Sequence, residues 1–192
     1  MKSAEKKESH AGRFCTDRNR KAITPSVSEI CLYALLGALM FAFKMMLASL
    51  PNVEPVTLMI IAIGSVFGPS ALPAVIVYIF LELLVWGIGF WSISYLYIWP
   101  LLFFISCLLR KNRSAFLAAC LAALFGFSFG LLCAVPMLFT AGFLGALSWW
   151  QAGALFDLIH GTANFILCLL LYTPLVRLLE KMKKKYAGTL RR

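Results

Sequence analysis

Charge is nearly missing from the middle of this chain. Of its 192 residues, 61% are hydrophobic and only 14% are charged. Seven Lys/Arg lie in residues 1–21, three in 110–113 and seven in 177–192, which leaves Lys44 as the last of the 18. A soluble domain carries about 25% charged residues, so this composition excludes one. The net charge of +10 does not indicate nucleic acid, because the cations are confined to two tails and one loop. That placement is a positive-inside signature with affinity for anionic membrane lipid.

Catalytic signatures are missing as well. There is no HExxH, no paired Glu-Glu motif, no GxSxG and no Gly-Lys-Thr/Ser phosphate loop. Asp157 and His160 have the spacing of an acid/base pair, but no nucleophile or metal set accompanies them. No enzyme, cofactor or metal is expected. A nucleotide-binding domain is also lacking, so transport would need an ion gradient or an energised partner. Internal repeats, the usual mark of a stand-alone secondary transporter, are not found. Six cysteines occur without a CxxC pair, and all but Cys15 lie in or beside apolar segments. They read as small packing residues and imply neither disulfides nor a metal site.

What the chain does have is long apolar runs. Six helices are predicted, over 27–49, 56–67, 71–86, 94–110, 114–139 and 149–179. Several reach or approach the ~20 residues that cross a ~30 Å hydrocarbon core. The second would be only about 18 Å long, so it is either short and packed inside or extended by the proline loop before it. Pro100 is expected to kink the fourth. The fold class is all-α: one polytopic bundle of six transmembrane helices over residues 27–182. Both termini are predicted to be cytoplasmic, with a disordered basic tail over 1–26 and a second basic tail over 183–192. The first tail is too long, and the run after it too long, for a secretory signal. Loops 50–55, 87–91 and 140–148 are expected outside, and 68–70 and 110–113 inside.

Few polar groups interrupt the apolar body. Glu82 sits between Tyr78 and Trp86 at four-residue spacing. Asp157, His160 and Asn164 fall within about 60° of one another at 100° per residue, so they share a helix face. Gly153 and Gly161 lie on that stripe and leave room for a helix or a ligand. Glu82 should lie about 10 Å below Gly89, and Asp157 about 12 Å below Trp149, hence at similar depth in the outer half. Trp86, Trp91, Tyr95, Trp99, Trp149 and Trp150 crowd the outer ends, where an interfacial belt is the plain alternative. Together these features describe a pocket for a small polar molecule. The alternative is a structural network of Lys44 with Glu82 and Asp157 with His160. Lys44 is expected to snorkel to the outer interface, with pairing to an acid as the other option. Ala34, Ala38 and Ala42 recur every fourth residue, which suits close approach of a bundle neighbour or of a partner. Ala115, Ala119, Ala123, Gly126 and Gly130 form a second small-residue face.

Several blocks carry a family resemblance. They are Ala34-x-x-x-Ala38, PNVEPVT at 51–57 before a short helix ending VFG at 66–68, LELLVWGIGFW at 81–91, SYLYIW at 94–99 and FDLIHGTANF at 156–165. In these blocks, in this order on six helices, the chain resembles the substrate-binding S components of energy-coupling factor vitamin transporters over residues 30–182. The resemblance implies a bacterial cell-membrane protein that binds a vitamin-like solute in its outer half. It implies docking through the first helix onto a transmembrane coupling protein driven by two ATP-binding cassette subunits. It also implies that the loops between helices 1 and 2 and between helices 5 and 6 help close the pocket. On this reading Glu82, Trp86, Trp91, Tyr95, Trp99, Asp157, His160, Asn164 and Asn52 contact substrate, and Ala34, Ala38 and Ala42 contact the coupling protein. Pocket residues vary within the family, so no ligand is named. Two acids favour a cationic or zwitterionic heterocycle. The rival reading is a six-helix scaffold of cell-envelope assembly, similar to rod-shape proteins, which needs no polar pocket.

Overall fold

The computed structural model describes residues 26–50 and 53–189, with side chains of the last helix to residue 185. The basic tail 1–25, Asn52 and the end of the C-terminal tail lie outside the described residues. The elements are α1 (Val27–Met46), α2 (Val56–Phe67), α3 (Leu72–Trp86), α4 (Phe90–Leu108), α5 (Ala115–Phe127), α6 (Phe129–Cys133), α7 (Val135–Thr140) and α8 (Gly142–Thr189). Short 3-10 turns occupy Gly68–Ala71 and Leu109–Lys111. Among the described residues there is no strand.

Local chemistry sets the main boundaries. Ser26 opens α1 with a capping box: its hydroxyl accepts from the Glu29 amide at 3.2 Å, and its own amide donates to Glu29 Oε2 at 2.8 Å. All 12 residues of α2 are buried, as suits a helix apolar on every side. Gly68 ends α2 at φ 73° and Gly87 ends α3 at φ 78°, a region that glycine enters without Cβ strain. Ser92 then starts α4 by accepting from the Gly89 amide and donating to the Gly87 carbonyl.

Four helical stretches are long and apolar enough to cross a membrane: Val27–Met46, Val56–Trp86, Phe90–Lys111 and Gly142–Lys185. Ala115–Phe127 with Phe129–Thr140, bent by 47°, makes a fifth if taken as one span. Leu35, Ile76, Phe80, Leu84, Leu155 and Leu170 project from these helices, exposed. An apolar surface this extensive needs lipid rather than water around it.

Side-chain pairs give the helix directions. Tyr33 bonds Ser70 at 3.2 Å and Lys44 meets Glu82 at 2.6 Å, so α1 and α3 run parallel. Asn164 donates to Thr57 at 3.2 Å and Tyr172 to Ser65 at 3.0 Å, so α2 and α8 run parallel. Val56–Trp86 is not one straight rod. Glu54, just before it, and Glu82, near its end, line the same cavity. A straight helix of that length would hold its ends about 45 Å apart. The chain therefore reverses at Gly68–Ala71, and successive long segments run alternately toward and away from the cavity.

Several boundaries differ from expectation. Residues 142–148, predicted as a loop, are the first turns of α8, which is 48 residues long and continues through Pro174. The predicted fifth helix is broken at Ser128 and Ala134 into three pieces. Gly126, Ser128 and Gly130 weaken helix there, and Pro136 supplies no amide to the turn before it. α4 starts at Phe90, four residues early, because Ser92 caps it, and it stays helical through Pro100. α1 stops at Met46.

Candidate functional site

At one end of the bundle lies a cavity of about 400 Å³. Lys44 comes from the last turn of α1, Glu54 from the segment before α2, and Glu82 and Trp86 from α3. Trp91 and Tyr95 come from the start of α4, Phe129 opens α6, and His160 comes from α8. Met45, Leu47, Ala48, Leu50 and Val53 supply the apolar part of the wall.

Lys44 is the centre of its electrostatics. Its ammonium donates to Glu82 Oε2 at 2.6 Å and to the Tyr95 hydroxyl at 3.3 Å. It also lies 5.0 Å from the Tyr95 ring centre and 6.0 Å from that of Tyr78, within cation–π range. Lys44 thus pairs with an acid instead of snorkelling. Two carboxylates stay incompletely matched. Glu82 is 1% exposed, and its Oε1 accepts no hydrogen bond. Glu54 Oε1 accepts from Thr57 at 3.3 Å and faces His160 Nε2 at 3.4 Å, without the alignment of a hydrogen bond.

Aromatic rings brace the cavity from behind. Trp91 packs edge-on against Tyr95 at 5.2 Å, and Tyr95 against Trp99 at 5.4 Å. Phe129 meets Trp99 at 5.7 Å and the His160 ring at 4.9 Å. Such a chain of edge-on and tilted ring contacts holds the lining rings in fixed orientations.

The sequence-derived residues separate into two groups. Glu82, Trp86, Trp91, Tyr95 and His160 line the cavity. Trp99 is fully buried behind it, touching Tyr78, Tyr95, Phe125 and Phe129. Asp157 and Asn164 share the buried face of α8 with His160 but are tied inside the bundle. Asp157 Oδ1 accepts from the Gly130 amide at 2.8 Å, locking α6 to α8. Asn164 holds Thr57 of α2. Of the alternative network, the Lys44–Glu82 pair is formed, whereas Asp157 meets the Gly130 amide instead of His160. Trp149 and Trp150 are exposed and do not line this cavity. Asn52 lies outside the described residues.

Glu54 and Phe129 were missed. Phe129 carried no signal, since it depends on the helix break at Ser128. Glu54 had one: it is among the few acids outside the basic segments, in a loop without any Lys/Arg.

On the outer face of α1, Ala34 is half-buried while Ala38 and Ala42 are exposed. The internal contact is made by Gly37, where an added methyl would sit 2.5 Å from the Ala74 carbonyl oxygen of α3. Packing within the bundle therefore leaves most of the alanine stripe unused. The second small-residue face does pack inside: a methyl on Gly126 would lie 2.6 Å from Gly161 Cα. Among the described residues no group of three or more His, Cys, Asp or Glu is arranged to hold a metal ion.

Searches against protein-family models, curated proteins and solved structures found no match to this chain.

Proposed function

We propose that this chain is the membrane-embedded substrate-binding subunit of an energy-coupling factor importer. It captures a vitamin or similar small polar heterocycle from outside and hands it to partner subunits that hydrolyse ATP. The observation that carries this reading is the cavity itself: about 400 Å³, ringed by Trp86, Trp91 and Tyr95, with the buried Glu82 offering an unmatched oxygen. A scaffold has no use for such an arrangement. Buried ionisable groups in a membrane bundle mark a solute path by default.

The orientation follows from charge. Arg113 pairs with Glu180, Lys183 donates to the Val66 carbonyl at 2.6 Å, and Arg110 closes over Gly68. These cations gather at the end opposite the cavity, so positive-inside asymmetry turns the cavity outward. Six crossings result when α2 and α3 count separately, α5 to α7 count as one, and both termini stay inside. In the bacterial cell membrane the exposed Ala38 and Ala42 would face the transmembrane coupling protein, itself driven by two ATP-binding cassette subunits.

A thermal-shift screen of the purified protein against water-soluble vitamins and their precursors tests this reading. At least one compound should raise the melting temperature. Glu82→Gln should then weaken its binding about 10- to 150-fold, the loss of one charge-assisted hydrogen bond. Ala38→Trp should leave that binding intact and block copurification with the coupling subunits. A screen in which no compound stabilises the protein would favour the scaffold.

A further inference from the structure

We infer that the corner of the cavity formed by Glu82, Tyr95 and Tyr78 is an organic-cation subsite, and that Lys44 is its resident occupant while the cavity is empty. The Lys44 ammonium is held as a bound ligand would be: by a carboxylate at 2.6 Å and a hydroxyl at 3.3 Å, with two tyrosine ring centres 5.0 and 6.0 Å away. Aromatic faces with a carboxylate are the standard surroundings for an alkylammonium or heteroaromatic cation. The occupant is tethered to the last turn of α1, and its side chain is 24% exposed against 1% for Glu82. A flexible four-carbon stem at that position can swing to the interface and keep its charge solvated. Glu82 cannot follow it, and an unpaired buried carboxylate is costly. Lys44 therefore leaves only when another cation arrives.

The rest of the lining sets the sign of the ligand. Among the described residues, Lys44 is the one Lys or Arg that lines the cavity, facing the carboxylates of Glu54 and Glu82 and the imidazole of His160. Asp157, one turn from His160, accepts from the Gly130 amide through Oδ1 and does not line the cavity. Lys44 matches one carboxylate, and Glu82 Oε1 still lacks a donor. The class that completes this set is a cation carrying N–H groups, with a flat body that Trp86 and Trp91 can cover. The assignment of that cation to the substrate rests on the transport reading above; the subsite does not.

Chemical rescue tests it. Lys44→Ala opens the space that the lysine fills. n-Propylammonium chloride should raise the melting temperature of the full-length variant saturably, by about 5–10 °C at a hundredfold excess over its dissociation constant. Potassium chloride at equal ionic strength and sodium propionate should not. In wild-type protein the same salt should act at least tenfold more weakly, because Lys44 competes. Adding Glu82→Gln to the variant should abolish the rescue. If Lys44→Ala fails to fold, Lys44→Met keeps the apolar stem and is titrated with ammonium chloride, which fits the space left by the missing ammonium group. Propylammonium acting no better than potassium, acting equally on wild type, or acting without Glu82 would overturn the subsite. Rescue combined with no vitamin-like binder would keep the subsite and remove the transport reading. Vitamin-like binding without rescue would do the reverse.

Discussion

The two ends of this bundle use ion pairs for opposite purposes. At the basic end, Arg113 and Glu180 meet with side chains 41% and 37% exposed, and Lys183 covers the end of α2. Both members of the Arg113–Glu180 pair are exposed enough that water or lipid headgroups can solvate either charge. At the cavity end, Lys44 and Glu82 are 24% and 1% exposed, and Glu82 Oε1 and His160 Nε2 make no hydrogen bond beside the empty volume. The first end closes the molecule. The second holds polar atoms in a state that only an incoming group completes. The contrast teaches that burial, not the pairing of opposite charges, separates a fastening from a site.

The comparison can be broken by removing one cation from each end. Lys44→Met strands Glu82 in a nearly water-free position and should cost about 3–5 kcal/mol, a large part of the stability of any domain. Thermal denaturation in detergent reads the loss. A cost below about 1 kcal/mol would show that water already reaches Glu82. Between the ends, Gly126→Leu forces a side chain into the backbone of α8 at Gly161. Overpacking of this kind should cost about 1–3 kcal/mol and loosen both ends together, visible as one broadened unfolding transition.

Smaller changes sharpen the contrast. Tyr172→Phe removes the buried donor to Ser65, in the rung between α2 and α8, and should cost about 1 kcal/mol without altering cavity binding. A calorimetric titration with whichever compound binds checks the second half of that claim. Arg113→Met breaks the exposed pair at the basic end and should cost between about 0 and 1 kcal/mol. If Arg113→Met proved as damaging as Lys44→Met, exposure would not be the variable that distinguishes the two ends.

Much of this architecture was legible beforehand, and for simple reasons. Apolar runs near twenty residues and Lys/Arg confined to tails and one loop identify a membrane bundle without any knowledge of packing. Gly68 and Gly87 mark reversals because only glycine takes those backbone angles without strain. Helical periodicity placed Asp157, His160 and Asn164 on one face, and the three are indeed buried together on α8.

Periodicity says which residues share a face, but not what that face meets. That Asp157 turns to the Gly130 amide while His160 turns to the cavity depends on where α6 crosses α8. That position follows from the packing of α5 on α8, where Gly126 meets Gly161 just before the break at Ser128. Likewise nothing local joins Glu54, in a loop, to Lys44 and Glu82 on two different helices. They converge because α2 and α3 reverse at Gly68–Ala71 and bring both ends back to the same level. The sequence by itself determined the class of molecule, its polar residues and its need for lipid around it, since these follow from composition and local period. Which charges are paired, which oxygens are left unmatched and where the empty volume lies were decided by tertiary packing, because each depends on distances between segments that the chain order does not contain.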